Sequence, residues 1–203
     1  MKYLKMLGLA AVAAAALMAF VGAGSASATT LTCTNPPGTK VVCPAGTTID
    51  ATAGSSLNLK AGFANITCTE STVHGKTTNT GSSTETVKGH IEGLTFGKCN
   101  ATVTVIEKGT LEIHTDQEGV TDNNGTLTGS GSVVTVATGG ISCTYATNNT
   151  DLGTVKGSTS TGGIATMIIN AELTKSAGGF LCANPAHWEG SYEITTPAWL
   201  DVD

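Results

Sequence analysis

After residue 28, apolar and polar residues of this chain alternate with a period of two over most of its length. In Ala101–Glu107, Val103 and Val105 fall on one face and Thr102 and Thr104 on the other. Leu111 and Ile113 share a face in Thr110–Thr115, and Val134 and Val136 share one in Ser132–Ala137. Ile141, Cys143 and Tyr145 alternate with Ser142 and Thr144; Trp188, Gly190, Tyr192 and Ile194 alternate with Glu189, Ser191 and Glu193. Successive side chains of a strand point to opposite faces, so this period predicts half-buried strands. Further runs cover 47–51, 57–61, 66–74, 84–96, 154–158 and 164–173. No long window beyond residue 28 shows the i, i+3, i+4, i+7 apolar spacing of an amphipathic helix.

Turn residues punctuate these runs: Pro36-Pro37-Gly38, Thr80-Gly81-Ser82, Asp122-Asn123-Asn124-Gly125, Thr138-Gly139-Gly140, Asn148-Asn149 and Ala177-Gly178-Gly179. Lys108-Gly109 joins two good strand patterns and predicts a hairpin. Many short strands at roughly 8–12-residue spacing predict an all-β fold, a single antiparallel β-sandwich or related β-domain. Its span is residues 29–203, with 29–55 a looser N-terminal arm.

The opening segment follows a different rule. Lys2 and Lys5 precede an almost unbroken apolar run from Leu7 to Val21, and Ser25-Ala26-Ser27-Ala28 supplies small residues for cleavage. Residues 1–28 therefore read as a secretory signal peptide. No later stretch approaches the roughly 20 apolar residues of a spanning helix, so no membrane span is expected after cleavage. The expected location is secreted, extracellular or periplasmic. All six cysteines, Cys33, Cys43, Cys68, Cys99, Cys143 and Cys182, lie beyond the cut and read as disulfides. Six cysteines allow 15 connectivities. Ile66-Thr67-Cys68-Thr69, Val87-Lys88-Gly89 and Cys99 are echoed by Ile141-Ser142-Cys143-Thr144, Val155-Lys156-Gly157 and Cys182. The echo favours Cys68–Cys99 and Cys143–Cys182, leaving Cys33–Cys43.

Charge narrows the partners. The chain has no arginine; its 10 lysines face 15 carboxylates, a net charge of −5. Removing Lys2 and Lys5 gives 8 − 15 = −7. Without a basic cluster, nucleic-acid and anionic-membrane binding are not expected.

Candidate chemistry is sparse. Gly93-Leu94-Thr95-Phe96-Gly97-Lys98-Cys99 is one residue short of a phosphate loop, and Cys99 stands where a hydroxyl is needed. His74, His90, His114 and His187 fall in separate segments without metal-ligand spacing. No G-x-S-x-G spacing occurs, and the carboxylate pairs Asp116 with Glu118 and Glu189 with Glu193 lack an aromatic cleft. No catalytic residue, cofactor or cofactor-binding residue is therefore assigned. Asp116, Glu118 and Asp122 form an oxygen-rich loop, a weak calcium candidate. Trp188 and Tyr192 share a strand face and are expected in the core. Trp199, near the chain end, is the candidate surface-binding aromatic.

Leu94–Cys99 leading into Thr102–Val105, Gly109–His114, Phe180-Leu181-Cys182, and the alternation of Trp188, Gly190, Tyr192 and Ile194 up to Pro197 together resemble a group of uncharacterised secreted proteins common in actinobacteria. The resemblance implies an exported bacterial protein and carries no functional residue. The expected function is a non-catalytic extracellular or cell-surface protein, structural, adhesive or ligand-binding. Its expected partner is an envelope component, a polysaccharide or a protein. The alternative is a secreted hydrolase of polysaccharide or cell wall, which differs in needing a concave site with convergent polar groups.

Overall fold

The alternating runs are strands, and several of them join end to end into longer ones. The computed structural model describes residues 29–34, 40–82, 84–115, 123–158 and 163–203. Residues 1–28, expected as a signal peptide, Pro36-Pro37-Gly38 and the calcium candidates Asp116, Glu118 and Asp122 lie outside them. The strands are β1 (Thr29–Thr34), β2 (Lys40–Val42), β3 (Thr48–Ala53), β4 (Leu57–Gly62), β5 (Asn65–Thr77), β6 (Gly81–Ser82), β7 (Val87–Cys99) and β8 (Thr102–Glu107). They continue with β9 (Thr110–Thr115), β10 (Asn124–Ser130), β11 (Val133–Thr138), β12 (Ile141–Ala146), β13 (Thr150–Lys156), β14 (Thr166–Gly178), β15 (Cys182–Thr196) and β16 (Leu200–Val202). No helix occurs among the described residues, and so none long and apolar enough to cross a membrane.

Eight staves form the body: β3 with β4, β5, β7, β8 with β9, β10 with β11, β12 with β13, β14, and β15. Each runs antiparallel to the next in chain order. The last stave then returns to the first: Tyr192 of β15 faces Ala53 of β3, and Trp188 faces Leu59 of β4. The all-β antiparallel expectation holds, and the sheet closes on itself as an up-and-down barrel instead of splitting into two stacked sheets. Closure removes most of the exposed edges that a sandwich must protect.

The predicted hairpin at Lys108-Gly109 does not form. Gly109 has φ +77° and marks a kink between β8 and β9, which stay in one stave. Both halves pair with the same neighbouring stave, β8 with β11 and β9 with β10. A Cβ at Gly109 would lie 2.4 Å from the Ser130 carbonyl oxygen, so the kink also needs glycine for space.

One end of the barrel is covered by a small sheet in the order β16, β1, β2. Leu31, Leu200 and Val202 bury beneath it. The segment expected as a loose arm thus carries β1, β2 and β3, and β1 is held at both sides of its backbone. At the far end sit the turns after β4, β7, β11 and β14. All three expected disulfides are present: Cys33–Cys43, Cys68–Cys99 and Cys143–Cys182. The last two close 31- and 39-residue separations, each worth roughly 3–4 kcal/mol by loop-closure entropy. Both tie strands at the far end. The Val-Lys-Gly parts of the sequence echo begin β7 but end the stave of β13, so the echo is not a structural repeat.

Candidate functional site

Every stave turns alternate side chains inward, and the inward set is almost wholly apolar. Leu59, Ile66, Phe96, Val103, Val136, Tyr145, Leu173 and Trp188, one from each stave, line an interior chamber of about 100 Å³. A second chamber of about 60 Å³ lies toward the covered end. Val73, Ile91, Leu111, Leu127 and Met167 line both, so the two adjoin along the axis. Eight strands give a barrel just wide enough to fill with side chains or to hold one small ligand. Here glycine helps set the width: a Cβ at Gly190 would lie 2.3 Å from Leu57 Cδ2.

The hydroxyls of the chamber wall are already engaged. Tyr145 reaches across the barrel and donates its hydroxyl to the Ala61 carbonyl at 3.1 Å. Ser71 Oγ donates to the Thr95 carbonyl at 2.6 Å, which uses its one proton. The Tyr192 hydroxyl, 2.9 Å away, therefore donates to Ser71 Oγ. Burial raises the pKa of both phenols, Tyr192 to about 12. Apart from Ser132, Thr147 and these phenols, the upper chamber is lined by hydrocarbon, sulfur and indole. A chamber of that lining repels water and accepts apolar groups.

The wall has a seam. Staves β7 and β8–β9 are laddered from Val87–Ile113 to His90–Thr110, and the Ile91 amide donates to the Gly109 carbonyl at 3.0 Å. Above that bond, among the described residues, no ladder joins β7 to β8. The break spans 92–98 on β7 and 102–107 on β8, and the chain crosses back at Asn100-Ala101. Leu94 and Phe96 on one side and Val103 on the other line the chamber yet are only half-buried. Phe96 meets Trp188 edge-on, with ring centroids 6.4 Å apart.

Outside the barrel the titratable groups pair with one another. His74 stands between two carboxylates, Nδ1 against Asp50 and Nε2 3.1 Å from Glu92. Glu92 also meets Lys76 at 3.1 Å and His90 at 3.2 Å. The hydrogen bond to Asp50 raises the His74 pKa, and His74 in turn lowers that of Asp50. These contacts favour the protonated ring, in which both nitrogens donate and neither offers a lone pair to a metal. Glu189 is taken up by Lys60 at 2.9 Å and His187 at 2.7 Å. Among the described residues no three His, Cys, Asp or Glu side chains are arranged to hold a metal. An outer groove of about 190 Å³ includes Lys88 and Glu112 on a polar face of β7, β9 and β10.

The aromatic residues divide. Trp188 and Tyr192 line the chamber as expected of inward positions. Trp199, expected on the surface, is 2% exposed and packed at the covered end; the turn after Pro197 carries it inward. The exposed aromatic is instead Phe180, 94% exposed at the far-end turn beside Leu181. Phe180 lies in a Gly-Gly turn, where no periodicity assigns a face. The alternation places Leu94, Phe96 and Val103 on inward faces; it does not show that the interior stays partly hollow. No family model, curated protein or solved structure matches the chain.

Proposed function

We propose that the protein is a secreted, non-catalytic binding protein and that it holds a small apolar ligand inside the barrel. The observation that carries this reading is the chamber: an apolar interior whose few hydroxyls are bonded within the protein itself. Such a site offers a ligand shape and dispersion contact and no charge. Catalysis would require a group of tuned pKa free to meet a substrate, and the two phenols of the wall are committed to Ala61 and Ser71. Secretion is supported by residues 1–28 and by three disulfides, which fit an oxidising compartment. The resemblance to exported actinobacterial proteins fits a bacterial host. An apolar component of the envelope or its surroundings is the ligand class.

The test is a titration of the purified protein with 6-bromo-1-hexanol, a short uncharged chain whose bromine quenches tryptophan emission on contact, read at Trp188 of the chamber wall. Saturable quenching at one probe per protein, reversed by 1-decanol and untouched by soluble oligosaccharide, is expected. A response that never saturates, or that survives unfolding in urea with reductant, would refute the reading.

A further inference from the structure

We infer that the seam between β7 and β8 is the portal of the chamber, and that the ligand is an amphiphile that binds with its alkyl tail inside and its polar head at the seam. The inference rests on the apolar-ligand reading above. Both ends of the barrel are closed. At the covered end Leu31 and Leu200 line the inner chamber from the small sheet. At the far end Tyr145 bonds across to Ala61, and Ala61, Cys143 and Ala186 are fully buried. Where β14 leaves its ladder with β15, the Cys143–Cys182 bridge and the bond from the Lys175 amide to Asn184 hold the wall. Among the described residues no such tie crosses the seam between the Ile91–Gly109 bond and the turn at Asn100-Ala101.

The same geometry selects the ligand. Seven residues of strand leave an unladdered seam roughly 20 Å long, and apolar side chains from both of its sides line the chamber behind it. Two narrow, adjoining chambers of about 100 and 60 Å³ suit a short chain or a single ring. The facing edges of β7 and β8 carry backbone N–H and C=O groups without ladder partners across the seam. Such N–H groups donate to, and such C=O groups accept from, a hydroxyl, amide or carboxyl head.

The test closes the seam. The structure has no free cysteine, so thiols introduced by Thr95→Cys and Thr104→Cys, on the exposed faces of β7 and β8, are the only ones. A short bis-maleimide joining them is expected to slow uptake of 6-bromo-1-hexanol about tenfold or more while leaving its final affinity within about threefold. Each single-cysteine variant carrying the same reagent should fill at the wild-type rate. As a second variant, Phe96→Ala widens the opening, and both association and dissociation should quicken severalfold with a smaller change in Kd. Decyl maltoside, below its micelle concentration, should displace the probe as well as 1-decanol does, because its bulky head stays outside. Cross-linked protein that fills at the wild-type rate, or a Phe96→Ala protein with unchanged rates, would overturn the portal. Displacement by 1-decanol but not by the maltoside would overturn the head-out orientation. Absence of saturable probe binding in the wild type would instead overturn the apolar-ligand reading itself.

Discussion

Ser71 has one proton and two neighbours, and that fixes the direction of the buried relay from Tyr192 through Ser71 to Thr95. Replacing Tyr192 by Phe leaves Ser71 Oγ without its donor in a buried setting. The expected loss is about 1–2 kcal/mol, read as a lower urea midpoint with an unchanged slope. His74 makes the opposite kind of contact, at the surface and pH-dependent. Its raised pKa means that its contribution is complete below its ordinary value of 6.5 and is lost as pH rises through the higher folded value. The lowered pKa of Asp50 places its share above 3.8, lost as pH falls through the lower folded value. The contact is therefore complete between those ordinary values. Glu92, Lys76 and His90 are the other titrating groups that face this cluster. Urea midpoints from about pH 5 to about pH 9 should fall for the wild type as His74 deprotonates, and His74→Gln should flatten that limb. At this scale the sequence was informative about inward positions such as Trp188 and Tyr192, whose neighbours alternate. It misled at Trp199, where irregular backbone around Pro197 and not strand period decides the facing.

The strands themselves were legible because threonine and valine alternate on half-buried walls. What connects them was less so. Lys108-Gly109 has the chemistry of a turn, and the local sequence cannot reveal that β10 and β11 offer one continuous partner to both flanking runs. Pairing with that partner outweighs the local turn signal and turns the glycine into a kink. Gly109→Ala would force a side chain into φ +77° and set a Cβ 2.4 Å from a carbonyl oxygen and 2.5 Å from the Ser132 nitrogen. A loss of about 1–3 kcal/mol is expected, measurable by thermal unfolding. An unchanged melting temperature would mean that β8 and β9 are not held in one stave. The disulfides were readable from the order of the cysteines, and their placement follows from the fold: two bind the far end, and the third, Cys33–Cys43, staples the covering sheet.

At the scale of the whole molecule, closure depends on contacts that no local pattern encodes. Tyr192 meets Ala53 and Trp188 meets Leu59 across more than half of the chain, and only those pairings make a barrel out of a meander. Closure then turns the inward faces of eight staves toward one axis, and the volume left among them is the candidate site. An open two-layer arrangement of the same strands would fill its core by interdigitation. The central claim, an apolar ligand inside the barrel, can be located with the chain's two tryptophans. Trp188 lines the chamber, whereas Trp199 packs at the covered end and does not line it. The most direct measurement is contact quenching of tryptophan emission by 11-bromo-1-undecanol, in the wild type and in Trp188→Phe. The account predicts saturable quenching of part of the wild-type emission and its disappearance in Trp188→Phe. Quenching that rises linearly without saturation, or that persists equally in Trp188→Phe, would contradict it.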